Sequence, residues 1–375
     1  MTKIAVVGAG LIGRKHIDVV RKYAVLDAIV DPSPAAEALA ASLGVSWFAE
    51  VEDYLVTGRP DGAIVATPNR LHWPHGGRFI ATGIPVLVEK PLAESTSSAE
   101  KLVSLSRKAN VPVLVGHHRR HSPLVKAAKA AIDAGDLGRL ATVNAQFWLY
   151  KPQDYFDVEW RRKDGAGPTF INLIHDIDLL RHFCGDIVSV QAMESRAIRS
   201  FEVEDTCAAV LEFENGALGT VTISDTVVAP WSWELTAGEN PAYPKTDMAC
   251  YMFGGTRGSL SIPDLRHWKN PGKQSWWEPI EATNLTFEAA DPVEEQFKHF
   301  LDVIRNDATP LVSAQEGMKN LQVLEALKNA TLHGATQSVG EPSPIGLLQA
   351  VDAVLDTSGP LSTEAETGAK ADRVS

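Results

Sequence analysis

An apolar run at residues 4–7 opens directly onto Gly8-Ala9-Gly10-Leu11-Ile12-Gly13. The three glycines of such a segment have separate uses. The first makes a tight turn out of a strand, the second leaves room for a pyrophosphate, and the third lets the next helix pack close to the sheet. A helix starting near Leu11 turns its free N–H groups toward an anion. A glycine-rich turn that binds nothing carries the same letters, so the surroundings must decide. A second apolar run, residues 25–30, ends on Asp31. An acid about 20 residues past the glycines is placed to hold the ribose hydroxyls of NAD. The Pro-Ser-Pro at 32–34 equally suits Asp31 to capping a helix. No arginine follows directly, and the Asp31 charge opposes a 2′-phosphate, so NAD is expected over NADP.

Further apolar runs at 62–66, 86–88 and 111–115 alternate with Ala/Leu-rich stretches at 35–43 and 95–108. Buried strands interleaved with amphipathic helices predict a parallel sheet covered on both faces. With 375 residues the chain exceeds one typical core, which predicts two domains. A formal net charge of -12 argues against nucleic-acid and anionic membrane partners, both of which need basic patches. No apolar run approaches the ~20 residues of a membrane helix. The first strand follows the N-terminus with no basic and apolar leader before it. Cys184, Cys207 and Cys250 lie far apart with no metal spacing. A reduced, cytoplasmic chain is the expectation.

Three segments narrow the reading: Ala66-Thr67-Pro68-Asn69-Arg70-Leu71-His72, Val88-Glu89-Lys90-Pro91-Leu92, and Gly116-His117-His118-Arg119-Arg120-His121-Ser122-Pro123. With the glycine motif, this series resembles the glucose–fructose oxidoreductase/inositol dehydrogenase/MocA family, from the first strand to about Val339. The resemblance implies an α/β Rossmann domain followed by an α+β domain with a large, mostly antiparallel open sheet. It implies domains at 1–122 and 123–340, an extension at 341–375, and a helix near 314–332 that packs back on the first domain. Carried over, Gly8, Gly10, Leu11, Ile12, Gly13, Asp31, Thr67, Pro68, Asn69, His72, Glu89, Lys90 and Arg120 would line the cofactor. Lys90 would reach the reacting hydroxyl, and Arg120 would sit at the domain junction.

The chemistry agrees from below. Hydride loss from a carbinol carbon needs its O–H proton removed in step. A lysine does this when burial and a nearby cation lower its pKa. Lys90 follows a buried-looking strand; a surface lysine paired to Glu89 is the plain alternative.

In the second half, a helix is expected to about residue 134, then alternating strands such as 141–149. The apolar spacing from Phe170 to Leu180 predicts a helix with Asn172, His175 and Asp176 at i, i+3 and i+4 on one face. Many family members carry an aspartate four residues before the histidine matching His175; Ile171 stands there instead. That departure loads proton transfer onto Lys90 and His175. Trp160 and Arg161 precede this helix where the family often has a similar pair, lining the site or an interface. Residues 224–241, with Trp231 and Trp233, together with Ile171-Asn172-Leu173-Ile174-His175, resemble the branch that includes cis-dihydrodiol dehydrogenases of aromatic-acid breakdown. The histidines at 117, 118 and 121 lack the cysteine or carboxylate spacing of a zinc site, so no metal is expected. Glu294, Glu295 and Lys298 suggest a solvated helix face. A short helix is expected at 345–355, with a disordered tail from 357.

The resulting expectation is an NAD-dependent dehydrogenase of a cyclic polyol, sugar or sugar derivative, with Lys90 as acid/base and His175 beside it. A cis-dihydrodiol dehydrogenase, a redox-neutral NAD-dependent glycosidase and a non-catalytic NAD(H)-binding regulator are the competing readings. A large sheet with one free face suggests a homodimer or homotetramer.

Overall fold

The computed structural model describes residues 1–163 and 165–340; the helix expected at 345–355 and the tail beyond it lie outside the described residues. Six strands form the first sheet: β1 (Lys3–Val7), β2 (Val25–Val30), β3 (Ser46–Phe48), β4 (Gly62–Val65), β5 (Val86–Val88) and β6 (Val113–Val115). All pairings are parallel, in the order β3-β2-β1-β4-β5-β6. Strands β4, β5 and β6 are buried at every residue, which is why they read as unbroken apolar runs. The direction of strand succession reverses between β1 and β4. A parallel sheet opens a crevice at its carboxyl edge there, and β1, β4, β5 and β6 all deliver their following residues to that edge.

The connecting helices obey local signals. In the helix Thr96–Ala109, Ser95 Oγ accepts the Ser98 amide at the start, and Asn110 closes the end in the left-handed region, at φ 53°.

Nine strands make the second sheet: β7 (Leu140–Trp148), β8 (Ile187–Ser195), β9 (Thr206–Phe213), β10 (Leu218–Ser224), β11 (Tyr251–Gly255), β12 (Ser259–Ile262), β13 (Arg266–Lys269), β14 (Glu281–Asn284) and β15 (Gln337–Ser338). Their order is β14-β13-β12-β11-β7-β10-β9-β8-β15, antiparallel except for the parallel pair β7 and β10. Burial alternates along β9, with Cys207, Ala209, Leu211 and Phe213 inward and Ala208, Val210 and Glu212 outward. One face therefore meets a core and the other stays open.

Two helices late in the chain return to the first sheet. Pro292–Ile304 packs Phe297, Phe300 and Leu301 against Ile4, Val6, Ile17 and Val20. Glu294, expected on a solvated face, instead meets Lys22 at 2.8 Å. Ala314–His333 packs on Thr96–Ala109 and on β8, so it joins the two sheets. Its Leu321, Leu324 and Leu327 are fully buried, each stabilising the junction by about 1.5–3 kcal/mol.

One helix differs from expectation. The stretch around Asn172 is two helices, Gly167–Ile171 and Leu173–Cys184, with Asn172 at the break. Asparagine competes with its own backbone inside helices, and here its side chain is drawn to Lys151. Asn172 and His175 therefore do not share the face of one continuous helix.

Candidate functional site

At the carboxyl edge of β1 the glycine loop has the shape its letters predict. Gly8 has φ 92°, and a Cβ there would lie 2.5 Å from the Ala66 carbonyl oxygen. At Gly13 a Cβ would lie 2.0 Å from the Gly8 carbonyl oxygen. A Cβ on Gly10 would meet nothing within 4 Å, so this glycine faces open space. No side chain caps the helix Leu11–Tyr23, whose first residue, Leu11, is 94% exposed; Ile12 is also exposed. The uncapped N–H groups and the space at Gly10 fit a pyrophosphate.

Asp31 closes the loop from the side. Its Oδ2 accepts the Ala9 amide at 2.8 Å, and its Oδ1 accepts the Ser33 amide at 2.8 Å and the Ser33 hydroxyl at 2.5 Å. Burial opposes its charge, but these bonds outweigh it and lower the carboxyl pKa. Asp31 thus organises both the glycine loop and the start of the next helix, with acceptor capacity remaining.

After β4, Thr67 is half-buried while Pro68 and Asn69 are exposed at the crevice edge. His72 is turned inward: its ring nitrogens lie 2.8 Å from the Thr67 carbonyl oxygen and 2.7 Å from that of Pro91. Expected along the cofactor, it instead ties the loops after β4 and β5 together, because both its ring nitrogens face carbonyl oxygens. After β5, Glu89 Oε1 takes His16 Nε2 at 2.7 Å. Burial pushes the Glu89 carboxyl up, yet the His16 bond and nearby cations win and hold it at about 2. Lys90 is half-buried, with its Nζ 3.3 Å from the Ile171 carbonyl oxygen. Burial lowers its pKa, Glu89 opposes this and Arg119 reinforces it. The amine is thereby biased toward its neutral, proton-accepting form.

His175 packs edge-on to His117 and His118, with ring centroids 5.8 and 5.4 Å apart. Burial first, then Lys90 and Arg119, hold it well below the usual histidine range, so it is neutral near pH 7. Arg120 departs from expectation. Its Nε donates to Asp178 Oδ2 at 2.9 Å, and Nη2 lies 2.8 Å from Asp178 Oδ1. Asn320 donates to the same carboxylate at 2.7 Å. Arg120 does lie at the junction of the two sheets, but its guanidinium is spent there on Asp178. Arg119 likewise bonds Asp176 and Glu234 over the Trp233 ring. Burial raises Asp176 to about 6 against the pull of Arg119 and Tyr251. Asp176 therefore points into a buried network, and Trp233 stacks on Tyr251 as packing.

Lys151, three residues beyond the end of β7, escaped the sequence reading. It is 7% exposed, and its Nζ donates to Asn172 Oδ1 at 2.8 Å. Burial lowers its pKa to about 8. The only cue in the sequence is a lysine closing an apolar strand, which is too common to single out. Arg161 stacks on the Tyr155 ring at 4.1 Å, and the Lys151 amine lies 5.0 Å from the same ring. Trp160 is 56% exposed. Among the described residues, no group of three or more His, Cys, Asp or Glu side chains is arranged to hold a metal ion. Nor is any helix among them long and apolar enough to cross a membrane.

Comparison with known proteins places the fold in a family. The family model for the oxidoreductase family with NAD-binding Rossmann fold matches residues 2–117, and that for the GFO/IDH/MocA C-terminal domain matches residues 125–261. The chain is 28% identical to scyllo-inositol 2-dehydrogenase (NAD(+)) of Bacillus subtilis over 347 residues, 88% of this chain and 94% of that one. It is 25% identical to inositol 2-dehydrogenase of Corynebacterium glutamicum over 238 residues, covering 59% of this chain and 66%, just under two thirds, of that relative. The WlbA dehydrogenase of Chromobacterium violaceum, solved in complex with NADH and UDP-GlcNAcA, has a TM-score of 0.74 at 25% identity, covering 90% of this chain and 96% of that one. With both halves matched in order by models of one family, the chain belongs to the glucose–fructose oxidoreductase/inositol dehydrogenase/MocA family of NAD-binding oxidoreductases.

Proposed function

We propose that the protein oxidises a secondary alcohol of a cyclic polyol, sugar or sugar derivative, with NAD as hydride acceptor. The observation that carries this is Lys90: an amine of lowered pKa at the carboxyl edge of the sheet, beside a neutral His175. When bound, NAD supplies the acceptor for the hydride. The glycine loop and the first turn of Leu11–Tyr23 hold its pyrophosphate, and Asp31 takes the ribose hydroxyls, which favours NAD over NADP. Thr67, Pro68, Asn69 and Glu89 shape the edge along which it lies, with His72 fixing those loops.

Lys90 Nζ accepts the carbinol proton as the hydride leaves. Neutral His175 donates to, or accepts from, the same oxygen and keeps it oriented. Asn172 lines the substrate side, and Arg161, held on Tyr155, borders it. Arg120 acts through Asp178 by fixing the junction. A protein that only senses NAD has no use for a depressed-pKa amine at this edge. The open face of the second sheet, which carries Val210, Leu218 and Met252, suits pairing with a second copy; a monomeric mass in solution would count against that.

The test is NADH absorbance with NAD supplied, across inositols, sugars, sugar acids and cis-dihydrodiols. NADH formation that disappears in Lys90→Ala, while NADH still binds, supports the reading. Turnover unchanged in Lys90→Ala overturns it.

A further inference from the structure

Two amines flank one short piece of backbone. Lys90 Nζ is 3.3 Å from the carbonyl oxygen of Ile171, and Lys151 Nζ is 2.8 Å from the side-chain oxygen of the next residue, Asn172. They come from different halves of the fold, one after β5 and the other after β7. The backbone between them is the break that separates Gly167–Ile171 from Leu173–Cys184. His175 lies one turn further along.

Lys151 is an unusual group to bury. Its residue is 7% exposed, and an ammonium carries three N–H donors. Among the described residues its amine makes one hydrogen bond, to a neutral acceptor. Among the described residues its nearest carboxylate oxygen, Asp225 Oδ2, forms an ion pair with it at 3.8 Å, too long for a hydrogen bond. The other oxygen of that carboxylate, Oδ1, accepts from Arg199 Nε at 2.7 Å, so one carboxylate serves two buried cations; the Arg199 guanidinium also donates to the Lys151 and Asp225 carbonyl oxygens. The Tyr155 ring covers another side at 5.0 Å. A buried cation with unused donors is costly unless an anion completes its shell. Other carboxylates nearby are bonded elsewhere through at least one oxygen: Glu89 to His16, Asp176 to Arg119 and Tyr251, Glu234 to Arg119, and Asp178 to Arg120, with Asp176 Oδ2 and Glu234 Oε2 left without a hydrogen-bond partner among the described residues.

We infer that Lys151, held by Asn172, is a specificity-determining residue that binds a carboxylate of the substrate beside the carbon whose hydroxyl faces Lys90. This rests on the dehydrogenase reading above and sharpens it to a hydroxy acid: a sugar acid, or a cyclic diol bearing a carboxylate. A carboxylate offers Lys151 a full counter-charge, whereas a hydroxyl offers only another dipole. The oxidation itself is unchanged. The C–H bond gives its hydride to NAD, the O–H proton goes to Lys90, and Lys151 makes and breaks no covalent bond; a product whose carboxylate lies β to the new carbonyl then loses it as CO2, the C–C electron pair going to the ring as it becomes aromatic.

The experiment compares matched pairs differing in the carboxylate: D-gluconate with D-glucitol, D-galactonate with D-galactitol, and the cis-dihydrodiol of benzoate with that of toluene. Each is tested for NADH formation, and for binding to the enzyme–NADH complex by NADH fluorescence. The wild type should favour the acid of a productive pair by about 10- to 100-fold in kcat/KM, the scale of a charge-assisted bond. Lys151→Met should erase most of that ratio, chiefly through KM; Lys151→Gln serves where the methionine variant fails to fold. Equal use of both members, or preference for the neutral one, overturns the inference. If that turnover depends on Lys90, the dehydrogenase reading survives. Acid preference that persists in both Lys151 variants also overturns the assignment. If neither member yields NADH but the acid binds the enzyme–NADH complex through Lys151, the carboxylate site stands and the reaction reading falls. Failure of every acid to bind or react in the wild type removes the site.

Discussion

Lys90 Nζ rests 3.3 Å from the carbonyl oxygen of Ile171, the position where many family members place an aspartate. The lysine therefore has a backbone dipole where a full negative charge would otherwise raise its pKa. Burial and Arg119 lower it, and Glu89 and, more weakly, Glu234 pull the other way. Oxidation needs the neutral amine, so kcat/KM for alcohol oxidation should rise with pH toward a plateau set below the ordinary lysine value of 10.5. His175, neutral across this range, should add no limb between pH 6 and 8. Ile171→Asp should move the rising limb to higher pH by about one unit. A profile identical in the variant would show that residue 171 does not face the Lys90 amine.

Asp31 supports its own loop, and the proposed function adds the ribose hydroxyls to what it holds. Asp31→Ala should weaken NAD binding by about 10- to 100-fold, on the scale of lost charge-assisted bonds. It should weaken NADP less, because a 2′-phosphate is freed from the opposing charge. Isothermal titration with both nucleotides checks this. Equal losses would mean that Asp31 serves only Ala9 and Ser33.

Two glycines of the motif should separate binding from folding. A Cβ at Gly10 meets nothing within 4 Å, so Gly10→Ala should leave the melting temperature nearly unchanged and obstruct the nucleotide. At Gly13 a Cβ falls 2.0 Å from backbone, which forces the helix away from the loop. Gly13→Ala should destabilise by about 1–3 kcal/mol, as overpacking does. Similar melting shifts in both variants would contradict this division.

Five of the six strands of the first sheet were legible because they are buried on both faces along most of their length and their motifs are contiguous; β3, exposed at Ser46 and only partly buried at Trp47 and Phe48, was not read. Residues 8–13, Asp31, and Glu89 with Lys90 all sit beside strand ends, where letters and geometry agree. Legibility failed where side-chain direction decides the role. Arg120 and His72 occupy the expected elements but spend their polar atoms inside the protein, and no spacing rule reveals that. Asn172 was read on one helix face because the apolar period runs through it; the break arises from a tertiary partner, Lys151, 21 residues away in sequence. Lys151 itself has no motif. Its character comes from burial by Tyr155, Asn172 and Arg199, which meet only in the folded chain.

The same burial makes Lys151 a liability to the unliganded fold. Its pKa falls from 10.5 to about 8, chiefly by burial. The folded state thus releases this proton more readily than the unfolded chain does. The cost is fully present below pH 8, where both states carry the proton, and disappears above pH 10.5, where neither does. A shift of that size corresponds to about 3 kcal/mol. Lys151→Met removes the charge while keeping the length, so it should stabilise the protein at pH 7 by about 1–3 kcal/mol after loss of the Asn172 bond. The gain should shrink as pH rises from 8 to 10.5. Chemical denaturation of both proteins across that range measures it. A variant less stable than wild type at pH 7 would mean that Asn172 and Asp225 already compensate the buried charge, leaving none of the strain that a substrate carboxylate would relieve.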